Sequence, residues 1–126
     1  MDRTIVTSDR VPRSTSPLSP AIRAGDYLLV SGQVGANPTT RETMKGLEEQ
    51  TRQCLENIKA LLTAGETSLD KVIKVMVFMT NIKDFAMMND VYRTYFPTNP
   101  PARSCIEVKS LAREGLEIEI ECVAAI

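Results

Sequence analysis

A chain of 126 residues is one domain's worth, long enough to bury roughly two-thirds of the surface its unfolded form would expose, so a single domain over residues 1–126 is expected. With 15 Lys+Arg against 16 Asp+Glu the net charge is −1, and no overall field favours nucleic acid or an anionic membrane as a partner. Histidine is absent, which excludes Ser-His, Cys-His and His-metal sites.

The three cysteines, Cys54, Cys105 and Cys122, are odd in number and lack C-x-x-C spacing, as expected of reduced thiols in a reducing compartment. The residues after Met1 carry no apolar stretch long enough for a signal peptide, and no run of about eighteen apolar residues occurs, so a soluble cytoplasmic protein is expected.

In chain order, residues 3–6 suit a short first strand. Thr7 to Pro20 is rich in Ser, Thr and Pro, and a long loop of this kind in a small domain is more often functional than a bare connector. Ala21 to Arg23, the Gly25-Asp26 turn and Tyr27 to Ser31 read as a hairpin, with Gly32 and Gly35 ending its second strand. From Thr43 to about Ala64, Met44, Leu47, Cys54, Leu55, Ile58, Leu61 and Leu62 recur at helical steps, and Gly65 is a natural stop. Cys54 falls on that apolar stripe and belongs to the core.

Val72 to Met79 is β-branched and nearly all apolar, so both faces of this strand call for burial. Asn81 or Asp84 can open a second helix through about Phe96, with Phe85, Met88, Val91, Tyr92 and Tyr95 as its buried stripe, until Pro97, Pro100 and Pro101 forbid continuation. Two helices then cover one face of a mixed sheet in an α+β domain, and the natural cover for the other face is a second copy of the same sheet in a homo-oligomer.

The last quarter carries the chemistry. Pro101-Ala102-Arg103-Ser104-Cys105 leads to the alternating run Leu116-Glu117-Ile118-Glu119-Ile120-Glu121-Cys122, in which the apolar residues face a core and the glutamates face the other way. Arginine's planar fork matches a carboxylate bidentately, and a nearby glutamate can accept a proton or orient a water, a pairing suited to a small organic acid. The same alternation also fits a plain solvated face.

With Ser31-Gly32-Gln33, Lys71 to Val75, Asn89 followed by Tyr92 and Phe96, Pro101 to Cys105, and Ile118 to Glu121 in order, the chain resembles the reactive-intermediate deaminase (Rid, or YjgF) family from Pro17 to Ala125. The resemblance implies a chorismate-mutase-like fold assembled as a homotrimer, with ligand pockets between subunits and no metal or cofactor. It implies hydrolysis of enamines and imines such as 2-aminoacrylate and 2-iminopropionate to keto acid and ammonia. By the same resemblance, Arg103 clamps the substrate carboxylate, the main chain at Cys105 meets the nitrogen, Glu119 orients water, and Ser31 and Asn89 line the pocket. Ser31 and Asn89 read equally well as hydrogen-bonded structural residues. Cys105 as a nucleophile would need its pKa lowered by Arg103 alone.

Two departures bear on the site. Leu18 stands in Pro17-Leu18-Ser19 where many family members carry a pocket tyrosine, which removes a hydroxyl and a ring face and could tune the pocket for a more apolar acid. The turn Arg113-Glu114-Gly115 is one residue longer than the family pattern, so Glu117 or Glu121 could stand in the site in place of Glu119. The alternative to an enzyme is a sensor binding keto acids or amino acids in the same pocket. A ribonuclease is disfavoured by the charge balance and the scarcity of aromatic residues outside the helix stripe.

Overall fold

Alternating burial along the strands sets the architecture of the computed structural model, which describes all residues from Met1 to Ile126. The strands are β1 (Arg3–Val6), β2 (Ala21–Ala24), β3 (Tyr27–Val34), β4 (Val72–Met79), β5 (Ala102–Glu107) and β6 (Ile118–Ala125), and the helices are α1 (Gly46–Ala64) and α2 (Phe85–Tyr95). One sheet runs in the order β1-β2-β3-β6-β4-β5. Only β4 and β5 pair in parallel, the crossover between them being α2. β6 inserts antiparallel between β3 and β4, so α1 crosses over a strand that arrives last in the chain.

Both helices lie on one face. α1 buries Leu47, Cys54, Leu55, Ile58, Leu61 and Leu62 against Leu28 and Val30 of β3, Val75, Val77 and Met79 of β4, and Ile118 and Ile120 of β6. Each fully buried aliphatic side chain contributes about 1.5–3 kcal/mol. Val11, 4% exposed, joins this core and ties the long loop after β1 to the sheet.

The opposite face of the sheet has no layer over it in the chain. Met76 and Phe78 are half-buried there, and Leu29 and Ile106 stay exposed, so the expected burial of β4 is met on one side only.

Two boundaries differ from the sequence expectation. β3 ends before Gly35 as expected but passes through Gly32, continuing to Val34 by a bulge between Val30 and Gln33, since a glycine in a strand interior accommodates an irregular ladder. The first helix starts at Gly46 and not Thr43. Gly46 takes φ +82, a left-handed turn that keeps the preceding residues out of the helix, and Thr43 instead bridges Ala36. No helix is long and apolar enough to cross a membrane.

Candidate functional site

Arg103 lies on β5 opposite Val75 of β4, which turns its side chain to the helix-covered face. Its guanidinium sits 4.5 Å from the centroid of the Tyr92 ring and 5.5 Å from that of Phe85, with Nη1 3.9 Å from the Met88 sulfur. No carboxylate pairs with it, since the ion pairs of the chain use Arg23, Arg52 and Arg93. A half-buried guanidinium stacked on aromatic faces leaves its fork of donors open.

The Tyr92 hydroxyl beside it is buried without a hydrogen-bond partner. Burial raises that phenol to about 12, against the lowering pull of Arg103, so it stays protonated and available as a donor. Asn89 is half-buried on α2 one turn after Phe85 and one before Tyr92, on the side of the helix that carries the two rings. Cys105 follows two residues after Arg103 on the same face of β5, and burial raises its thiol above the usual range despite Arg103.

Glu119 is elsewhere. It lies on β6 between Phe78 of β4 and Val34 of β3, on the face without helices. There it lines a cleft of about 640 Å³ with Leu18 and Ser31, closed on one side by the loop after β1. Burial, then the Glu121 carboxylate, raises Glu119 above the ordinary carboxylate range, which moves it toward the range useful for a general base.

Three features hold this carboxylate in place. Gly32 leaves it room, because a Cβ there would stand 2.8 Å from Glu119 Cδ and 3.1 Å from Cγ. Ser31 Oγ donates to the Ser19 carbonyl at 2.6 Å and its N–H to the Pro20 carbonyl at 2.9 Å, so the hydroxyl proton is committed to the loop that walls the cleft. Gln50, 1% exposed, fixes the register of β6: its Nε2 donates to the carbonyls of Met44 and Gly115, and its Oε1 accepts from the Glu117 N–H.

The Arg113 to Gly115 turn lies ahead of the strand, with Gly115 at φ +86. Leu116, Ile118, Ile120 and Cys122 remain buried. Glu117 and Glu121 share the open face but do not line the cleft, and Glu119 does.

The structure therefore brings the expected residues together as two groups: Arg103 and Cys105 with Asn89 beside them, and Glu119, Ser31 and Leu18. Within one chain the groups lie on opposite faces of the sheet. Phe85, Tyr92, Gly32 and Gln50 were not singled out for the site by the sequence. Tyr92 and Phe85 read there as helix stripe, Gly32 as a strand end, and Gln50 is a polar residue among apolar helical positions, a pattern that does mark a buried hydrogen-bonding role.

The chain is thus a two-layer α+β domain with an unpaired guanidinium on an edge strand and a raised carboxyl in a cleft. The chain belongs to the family described as Endoribonuclease L-PSP, also called the YjgF/RidA/RutC family, whose model matches residues 8–126. It is 46% identical over 121 residues to a RutC family protein of Pyrococcus horikoshii, covering 95% of each chain. Among solved structures it is similar to a putative endoribonuclease from Thermotoga maritima, with 43% identity, 98% and 97% of the two chains covered and a TM-score of 0.93. It is also similar to E. coli TdcF with bound serine, with 33% identity, 98% of each chain covered and a TM-score of 0.93.

Proposed function

We propose that the chain hydrolyses reactive 2-imino and enamino acids, such as 2-iminopropionate and 2-aminoacrylate, to the 2-keto acid and ammonia, at a site completed between copies in a homotrimer. The observation that carries this reading is the Arg103 guanidinium, half-buried and stacked on Tyr92 and Phe85 with no carboxylate of its own. A half-buried cation with an open fork is a receptor for a carboxylate that the substrate brings.

Oligomer formation is supported by two features. Arg103 and Glu119 face away from each other within one chain, and the helix-free sheet face carries Met76, Phe78, Leu29 and Ile106 uncovered. Packing that face on a neighbour's β5 and α2 would remove apolar surface from water and set one copy's Arg103 against the next copy's Glu119. The serine bound in the E. coli relative supports a ligand of amino-acid size.

Chemistry at such a site asks little of the protein. The protonated imine carbon is already electrophilic. An enamine first takes a proton at carbon to become this iminium. Glu119 then accepts a proton as water adds, giving a carbinolamine, returns it to nitrogen, and takes the hydroxyl proton as the C–N bond breaks, passing it to the departing ammonia, so that iminium and water become keto acid and ammonium. β5 is an edge strand with main-chain groups free of ladder partners, and its backbone at Cys105 would hold the substrate nitrogen.

The bound serine of the relative equally favours a sensor that keeps the ligand without turning it over. Imine generated in situ by an amino-acid oxidase, with keto-acid release followed against protein-free controls, tests the proposal. Arg103→Ala should abolish acceleration, and Glu119→Gln should lower turnover by about a hundredfold while ligand binding survives. No acceleration by the wild type refutes catalysis, and unchanged turnover in Glu119→Gln refutes the role of that carboxylate.

A further inference from the structure

The cleft around Glu119 is more basic than a three-carbon acid needs. Arg13, Arg41 and Arg113 all line it, with Glu119 as its one acidic residue. They are exposed and come from three separate segments: the loop after β1, the loop between β3 and α1, and the turn before β6. None of the three is in an ion pair, and the Arg113 guanidinium donates only to Thr43 Oγ1, at 3.0 Å. Asp9 lines the adjoining hollow with Arg13 and Arg41 but pairs with neither. Cations gathered from distant segments repel one another unless an anion joins them.

Arg41 adds a second argument. Its φ is +65, a left-handed angle that glycine adopts freely and a long side chain does not. The surrounding loop enforces it, with the Arg41 N–H donating to the Asn37 carbonyl and Asn37 Oδ1 accepting from the N–H groups of Thr39 and Thr40. Strain kept at the wall of a binding cleft points to a role for the side chain it carries.

We infer that the substrates are imines bearing a second carboxylate at the end of the side chain, of the kind derived from acidic amino acids. The inference rests on the deaminase reading above and deepens it. The α-carboxylate meets Arg103 of one copy, and the distal carboxylate meets Arg13, Arg41 and Arg113 of the next. Leu18, half exposed at the same cleft, contributes no polar contact, so charge recognition falls to the arginines; the apolar acid that Leu18 alone suggested is not what this wall selects. RNA phosphates are a poorer match, because no aromatic side chain lines the cleft to stack a base.

Calorimetric titration of the assembled protein with two stable keto acids, 2-oxobutanoate and 2-oxoglutarate, tests this without requiring turnover. The dicarboxylate should bind about tenfold or more tighter, as one added charge-assisted contact predicts, and the preference should shrink at about 0.5 M salt. In the Arg13→Ala/Arg41→Gly/Arg113→Ala variant the affinity ratio should fall close to one. Arg41→Gly alone suits the backbone angle and keeps the fold, and it should lower the ratio by itself. Equal affinities in the wild type, an undiminished ratio in either variant, or tighter binding of a short single-stranded RNA overturns the inference. Failure of imine turnover with the dicarboxylate preference intact would instead remove the deaminase reading alone.

Discussion

Gly32→Ala isolates the role of Glu119 without altering its chemistry. The added Cβ would lie 2.8 Å from Glu119 Cδ and closer still to Oε2, and ordinary contact begins near 3.4 Å, so the carboxyl group must retreat by about 1 Å. The obstacle is the end of a flexible side chain, not backbone, and Gly32 carries no positive φ. Folding should therefore be spared: the loss of chain entropy in the unfolded state favours alanine by about 0.4–1 kcal/mol, which offsets the local adjustment.

Catalysis should not be spared, because a misplacement on the order of 1 Å at a reacting group costs about a hundredfold. The expected result is a kcat reduced ten- to a hundredfold (about 1.4–2.8 kcal/mol) with KM changed little, since Arg103 is untouched. Keto-acid formation from oxidase-generated imine gives the kinetics, and thermal unfolding the control. A variant that keeps wild-type kcat with an intact fold would refute the claim that the Glu119 carboxylate works from its observed position.

Glu119→Gln should raise the melting temperature at neutral pH. Burial makes the ionised carboxylate less favourable in the folded chain than in the unfolded one, so the native state holds the proton longer and stability falls as pH rises from the unfolded carboxylate value through the folded one. The gain should vanish near pH 4, and no gain at pH 7 would contradict the direction of the shift. In the wild type the same shift should place the acid limb of kcat/KM above the ordinary carboxylate range. Gln50→Ala should cost about 2–4 kcal/mol in chemical denaturation, because two carbonyls and one N–H lose their partner at a buried site, and a loss below 1 kcal/mol would show that the β6 register does not depend on it. Cys105→Ala should keep turnover within about threefold, since the thiol is raised by burial and little thiolate exists at neutral pH; loss of all activity would revive it as a nucleophile.

Much of the fold was legible in the residues because local periodicity and local burial agree. The 72–79 strand and the alternation of Leu116 to Cys122 follow from side-chain spacing, and the β2 to β3 hairpin and the helix stop at Gly65 from local turn and cap residues. Boundaries governed by backbone angles did not: Gly46 starts a helix from a left-handed turn, and Gly32 lets a strand pass through a bulge. A glycine reads as punctuation in a sequence whether it ends an element or bends one.

What the sequence determined by itself was the family, the order of elements and the candidates Arg103 and Glu119, each of which depends on residue identity and spacing. Tertiary structure alone decided that these two face away from each other, that Glu119 and not Glu117 or Glu121 enters the cleft, and that Arg13, Arg41 and Arg113 all line it. Those facts depend on strand order and on a buried glutamine clamping a distant turn. Contacts between segments far apart in the chain leave no period along it.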